Sequence, residues 1–386
     1  MKIALTVEDF RPWRGGGEGY VFGLAGRLVR LGHEVHVFAG RIGDVPDGIA
    51  PHDVPLTGLL PRRATFALNC ARMLDEAAEE FDLVHGFGKS IRMDVFRPGG
   101  GVHRAWRRLE PLSVENPARR AWRRFRRHFS FDQRLVLWLE AKQFAPGADG
   151  PEIIANSNMV RRHVLEHYNV PESRIHVIPN GVDGTRFTTA NRARCREAVR
   201  TQWGVADDDV VVLFVANNFR LKGLLPLVRA LARLPRSSPP VKVVAVGRDR
   251  QGPYRALAGQ LGCADRLIFA GATTKTEEAY AAADVFAHPT FYDPCANVTL
   301  EAMASGLPVV TSVYNGAGEL LTPDAGAVID PEHPEALAGA IEAFLDPACR
   351  AAAGTAARRI ADAHNPEWHL GKVLEVYNDA LARKRG

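Results

Sequence analysis

"DVFAHPTFYDPCANVTLEAMASGLPVV", residues Asp284 to Val310, begins with an apolar run that reads as a strand and continues into a short loop. A helical pattern then opens near Asn297 and stops at Gly306 and Pro308, residues that punctuate helices. Strand, loop and helix in that order are the repeating piece of a parallel α/β sheet. Within this piece Asp293 stands eight positions before Glu301, so one acid precedes the helix and the other lies about a turn inside it.

The same alternation runs outward from this stretch in both directions. Towards the N-terminus "KIALTV" is followed by a glycine-rich loop, and a helical pattern then sets Val21, Leu24, Ala25, Leu28 and Val29 on one face before "EVHVFAG". "FDLVHGFG", "EIIANS" and "RIHVIPNGVD" read as further strands, with a helix over Met159 to His167. The period lapses through "GTRFTTANRARC" and restarts with "DVVVLFVANN", "VKVVAVGRD" and "LIFAGAT", each followed by a helix. A chain of 386 residues, 46% apolar, is long enough for two cores. The lapse puts a boundary near residues 184 to 205 and predicts two α/β domains, 1–184 and 185–386. The terminal helix, about 366 to 383, could return to either half.

Composition excludes several classes. The five cysteines, Cys70, Cys195, Cys263, Cys295 and Cys349, lie far apart without a Cys-x-x-Cys pair, so neither a disulfide frame nor a zinc site is suggested. "MKIALTVEDF" meets acids after a few apolar residues and reads as a first strand rather than a signal peptide. A cytoplasmic protein is expected. The formal net charge of +5 is too small to imply nucleic acid by itself.

Open parallel sheets bind ligands at the carboxyl ends of their strands, where two such sheets would face one another across a cleft. Backbone N–H groups near Ala296, Asn297 and Val298 would point from the helix N-terminus at an anion. Carboxylates accept paired hydrogen bonds from neighbouring hydroxyls, so Asp293, the helix N-terminus and Glu301 together suit a phosphate flanked by sugars, a nucleotide-sugar. The plainer reading makes Asp293 a helix cap and Glu301 a surface acid. Arg220 and Lys222, in "ANNFRLKGLL", sit where a helix begins, a position that disfavours cations unless an anion is bound. Gly15, Gly16 and Gly17 allow close backbone approach to a ligand, with Arg14 adding charge. The second strand ends without an acid for a ribose, which counts against a nicotinamide oxidoreductase. His103 and Asn180 are further candidates. Asp207, Asp208 and Asp209 imitate a metal-diphosphate motif but stand at a turn before a strand, where acids are ordinary.

Residues 104 to 127 hold nine arginines against two glutamates, Glu110 and Glu115, interleaved with Trp106, Trp122 and Phe125 and followed by Phe129. Arginine with aromatics at helical spacing suits an anionic membrane surface or a phosphorylated glycolipid. RNA stacking and a solvated helix face are the other readings.

Together these segments resemble the retaining GT-B glycosyltransferases of glycosyltransferase family 4. The matching pieces are the glycine-rich loop, "GGGVH", "IIANS", "VIPNGVD", "RLKG" and "DPCANVTLEAMASGLPVV" followed by "NGAGE", in family order along nearly the full chain. The basic aromatic segment and the wording "FYDPCANVTLEAM" are most similar to the lipopolysaccharide core glucosyltransferase I branch. The resemblance implies an α/β GT-B architecture of two Rossmann-like domains, acceptor-binding first and donor-binding second. It implies that Glu301 holds ribose hydroxyls and Asp293 those of the donor sugar. Arg220 and Lys222 would neutralise the departing diphosphate with the amides of Ala296, Asn297 and Val298 and with Gly16, while His103 lines the acceptor side. Asp293 replaces the commoner glutamate, and "CAN" replaces "GFG". The implied activity is retaining, metal-independent hexosyl transfer without a cofactor, with UDP-glucose as donor and a lipopolysaccharide core or related glycolipid as acceptor. It would act at the inner face of the cytoplasmic membrane, with no nucleic-acid partner. A nucleotide-sugar 2-epimerase of the same fold and a non-enzymatic binder of anionic membranes or RNA are the rivals.

Overall fold

The computed structural model describes residues 1–11, 15–58, 60–77, 80–145, 150–236 and 240–385; Arg14 lies outside them. The chain forms two units, each with its own parallel sheet. The first comprises Met1–Arg108, Pro117–Pro179 and His369–Gly386, and the second Leu109–Asn116 and Asn180–Trp368.

Seven strands build the first sheet: β1 (Lys2–Val7), β2 (Glu34–Ala39), β3 (Ile49–Asp53), β4 (Leu83–Phe87), β5 (Val95–Arg97), β6 (Glu152–Ala155) and β7 (Ile175–Val177). Their order is β3-β2-β1-β4-β5-β6-β7, and every pair is parallel. The apolar face foreseen for the first helix, Gly16–Arg30, packs Val21, Leu24, Ala25 and Leu28 against Ile3, Leu5, Val35 and Val37. The terminal helix Pro366–Arg385 adds Leu370, Val373, Val376 and Tyr377 to the same core. Two polar contacts pin it there. The Tyr377 hydroxyl lies 2.7 Å from Nδ1 of His85 on β4. His369 Nδ1 donates to the Pro179 carbonyl at 2.7 Å, so its Nε2 accepts from the Tyr20 hydroxyl at 2.8 Å.

The second unit repeats the plan with β8 (Val210–Val215), β9 (Val241–Val246), β10 (Leu267–Gly271), β11 (Val285–His288), β12 (Val309–Ser312) and β13 (Gly326–Ile329), in the order β10-β9-β8-β11-β12-β13. All six residues of β8 are buried, as expected of a central strand covered on both faces. In each sheet the chain works outward from the middle, returns, and works outward the other way. The turning points fall between β1 and β4 and between β8 and β11.

The change of unit at Pro179 and Asn180 comes before the lapse of periodicity read from the sequence. Val182 and Phe187 are buried in the second core, so this irregular segment is packed there as a lead-in to the helix Asn191–Trp203. Three arginines one helical turn apart on that helix, Arg192, Arg196 and Arg200, converge on Asp284 at 2.9, 2.8 and 3.2 Å. Asp284 Oδ2 also accepts from the Val211 amide at 2.9 Å. Both Asp284 and Arg200 are buried, and the cluster fastens the helix to the starts of β8 and β11. Removing one member of a buried charge cluster strands the others without compensation. Asp284→Ala is expected to cost about 3–5 kcal/mol, read as a lower urea midpoint for the second unit. A midpoint within error of the parent's would show that the arginines find other partners.

Candidate functional site

The turning point of the second sheet carries the candidate chemistry. From Phe291 to Ala304 every residue is buried except Asp293, Asn297, Val298 and Glu301. The helix Asn297–Ala304 turns Thr299, Leu300, Ala302, Met303 and Ala304 inward. Asn297 and Glu301, four residues apart, fall on its other face. The half-open positions are therefore one carboxylate before the helix, its first two amides, and one carboxylate a turn along.

Asp293 is held by its backbone as well as its side chain. Its N–H donates to the Tyr314 carbonyl at 2.9 Å and its carbonyl accepts from the Gly316 amide at 2.9 Å. Its Oδ2 accepts from Lys222 Nζ at 2.5 Å, and the same ammonium donates to the Tyr292 carbonyl at 3.2 Å. Gly223 makes this approach possible. It sits at φ +86°, and a Cβ there would overlap the Pro289 carbonyl oxygen. The Lys222 turn thus lies directly on the loop that bears Asp293, and the Phe291 amide bonds to the Leu221 carbonyl at 2.8 Å. Burial alone would raise the Asp293 carboxyl. The Lys222 charge and the nearby His288 outweigh it and hold the group well below the ordinary carboxylate range. Glu301 goes the other way: burial raises its carboxyl, although the Tyr280 hydroxyl donates to Oε2 at 2.8 Å.

Arg220 follows a different course from Lys222. Its guanidinium bonds the Ser113 hydroxyl and pairs with Glu110, a buried carboxylate, at 2.5 Å. It is therefore engaged by the segment Leu109–Asn116 instead of lying bare at the helix start. Ala296 also differs from its expectation: its amide donates to Asn315 Oδ1 at 3.2 Å, which leaves the opening of the helix to Asn297 and Val298. Asn315, the first residue of "NGAGE", carries no role that the sequence announces. Buried, it accepts from the Ala317 amide as well and donates to Thr299 and Thr311 at 2.9 and 2.8 Å, which fixes the loop behind Asp293. Asn180 donates to the Cys295 carbonyl at 3.1 Å and to Asn297 Oδ1 at 2.6 Å and so braces the helix entry.

In the first unit Gly15 is extended, and Gly16 and Gly17 form the first turn of the helix itself, which starts earlier than the loop reading placed it. A Cβ at Gly17 would meet nothing within 4 Å, so packing does not demand that glycine. His103 stacks on Trp106, with Nε2 2.9 Å from Gln133 Oε1, and burial pushes its imidazole down to about 4. Asp209 serves the turn before β8, accepting from the Ala206 amide at 2.9 Å and pairing with Lys242 at 3.0 Å. Among the described residues no three His, Cys, Asp or Glu side chains are grouped to hold a metal ion.

Each half of the chain matches a family of known proteins. Residues 14–186 match the family described as Glycosyltransferase Family 4, and residues 196–360 match Glycosyl transferases group 1. An uncharacterized glycosyltransferase of Methanocaldococcus jannaschii is 26% identical over 361 residues, 89% of each chain. The lipopolysaccharide glucosyltransferase WaaG of Escherichia coli is 26% identical over 335 residues, 85% of each. The crystal structure of WaaG superposes with a TM-score of 0.79 at 23% identity, covering 97% of this chain and 99% of that one. An Anabaena protein, HepE, in complex with UDP-glucose gives 0.70 at 21% identity, covering 98% and 100%. These last two likenesses establish the fold.

Removing the Lys222 charge has a pH signature. In the parent, the depressed Asp293 carboxyl favours folding at every pH above the unfolded carboxyl value of about 4 and loses that contribution only as pH falls below it. In Lys222→Met, burial acts on Asp293 unopposed by the ammonium, the carboxyl rises, and ionising it then opposes folding. The gap in melting temperature between parent and variant should widen from about pH 4 to about pH 7. A constant gap would mean that the lysine does not govern the charge on Asp293.

Proposed function

We propose that this chain, a glycosyltransferase of GT-B architecture with a family 4 N-terminal half and a group 1 C-terminal half, moves a hexose from a nucleotide-sugar onto a glycolipid. The observation that carries the reading is the half-open row Asp293, Asn297, Val298 and Glu301 beside Lys222, all at the turning point of the second sheet. Two acids, a cation and a helix N-terminus fit the two halves of an activated sugar. Glu301 takes the ribose hydroxyls and Asp293 those of the donor sugar. Lys222 and the amides of Asn297 and Val298 meet the diphosphate. As the glycosidic bond breaks, negative charge grows on the leaving phosphate. Preplaced cations and amides stabilise that charge without reorganising, which supports transfer without a metal; retention is taken from the family resemblance. Arg220 would reach the diphosphate only by leaving Glu110, so we give it a secondary part. His103 and Gly15 to Gly17 are retained as ligand contacts of the first unit.

UDP-glucose is the donor we favour, since HepE, of the same fold, is known in complex with it. A lipopolysaccharide core acceptor is favoured by the similarity to WaaG. The helix Pro117–His128 supports work at an anionic membrane face. It has no buried residue, and the exposed rings of Trp122, Phe125 and nearby Phe129 follow one another at centroid spacings of 5.9 and 5.0 Å. No described helix is long and apolar enough to cross a bilayer, so attachment would be peripheral.

Purified protein given UDP-glucose and heptosylated lipid in EDTA should release UDP and glucosylate the lipid. Absence of transfer across several nucleotide-sugars would reject the reading, and a changed sugar without acceptor would indicate the epimerase. Glu301→Ala should raise the donor KM by roughly tenfold, since charge-assisted hydrogen bonds contribute about 1.5–3 kcal/mol each. Replacing Arg119, Arg120, Arg123 and Arg124 by glutamine should release the protein from anionic vesicles, each charge contributing about 1 kcal/mol. Turnover of a soluble, truncated acceptor should survive that change; its loss would favour the non-enzymatic binder.

A further inference from the structure

His288 ends β11, is 1% exposed, and has the rings of Phe286 and Phe214 nearly parallel to its own at centroid distances of 6.0 and 6.1 Å. Neither ring nitrogen has a hydrogen-bond partner. A buried imidazole with both nitrogens unmet is unusual, because leaving such a group unsatisfied is costly. Its Nε2 is 3.6 Å from Asp293 Oδ2, the oxygen that Lys222 already occupies. That separation is just beyond a hydrogen bond. The strand could have carried an apolar residue beside these rings at no such cost.

Resting on the transferase reading above, we propose that His288 is a positioning residue that takes over Asp293 when the donor draws Lys222 away. Lys222 has one ammonium and two claims on it, the Asp293 carboxylate and the diphosphate. While the site is empty the carboxylate holds it. Once the ammonium turns to the phosphate, Asp293 is left charged and largely enclosed, free to rotate from the sugar hydroxyls it must hold. The Nε2–H of His288 needs to close only a short gap to replace the lost donor on Oδ2. Burial keeps this imidazole neutral, so it supplies a hydrogen bond without a second positive charge that would hold Asp293 away from its ligand. No proton is transferred and no covalent step is involved.

The test compares His288→Phe, which keeps a ring beside Phe286 and Phe214 but carries no N–H, with His288→Gln, whose amide nitrogen reaches nearly the place of Nε2. Nucleotide release from the nucleotide-sugar, melting temperature and affinity for the free nucleotide are measured for both. His288→Phe should lower kcat by roughly tenfold or more, in the range of one lost oriented hydrogen bond. His288→Gln should stay within about threefold of the parent on the same scale. The phenylalanine variant should nonetheless melt at or above the glutamine variant, because the neighbouring rings are apolar, and both should bind the free nucleotide as the parent does. A purely structural role predicts the opposite order, with Phe more active than Gln. That order, equal losses in both, or parental kcat in His288→Phe would overturn the proposal while leaving the transferase intact. Failure of the parent to release nucleotide from any nucleotide-sugar would remove both.

Discussion

Parallel neighbours in a sheet can be joined only by a crossover, and crossovers of one hand build the sheet outward from its first strand. When the chain returns to the middle and builds the other way, the helices on either side of the junction leave in opposite directions. The carboxyl ends of the two central strands are then left uncovered. In the second unit those strands are β8 and β11, and the two loops that emerge from them carry Lys222 and Asp293. Neither residue is placed by its own segment alone. The winding puts both loops at one spot, and the missing side chain at Gly223 lets them touch.

Bringing a carboxylate into a nearly closed loop demands a counterpart. The structure supplies a lysine, two backbone bonds to the Asp293 peptide, and Asn315 tying the surrounding loop together. The rigid frame lies on the inner side and the open positions on the outer side. On the proposed reading, such a division would let a ligand enter without the loop refolding, with the stabilising charges in place before reaction. The cluster of Arg192, Arg196, Arg200 and Asp284 does comparable service at the opposite ends of the same strands, but it is turned to cohesion.

Much of this was legible in the sequence, for local reasons. The strand "VVVLFV" is a continuous apolar run because both its faces are covered, "VKVVAV" departs from that only at Lys242, and the helix that begins at Gly16 shows its buried face by spacing alone. β3, with its proline and two polar residues, and the three-residue β5 carry too little apolar pattern to be read. The acids and the lysine of the candidate site can be singled out in the sequence because their chemistry is marked by position at helix openings. Long-range pairings cannot. Nothing near Arg220 announces Glu110, and Ala296 gives no sign that Asn315 will take its amide. His288 stands in an ordinary strand, where only the three-dimensional neighbourhood of Asp293 gives it meaning. The segment after Asp183 loses its periodicity, yet Val182 and Phe187 on either side of that residue are buried in the second core, a contact the spacing does not announce.

The terminal helix has an effect on how the protein comes into being. Leu370, Val373, Val376 and Tyr377 belong to the first unit's core, yet the ribosome makes them after the whole second unit. The first sheet therefore waits, part of its apolar surface bare, until the second unit has been made. The second unit, contiguous but for one short segment, can close beforehand. Nascent chains of this protein should accordingly depend on a holding chaperone for their N-terminal half, and a protease that trims the tail would loosen the end of the molecule that was synthesised first.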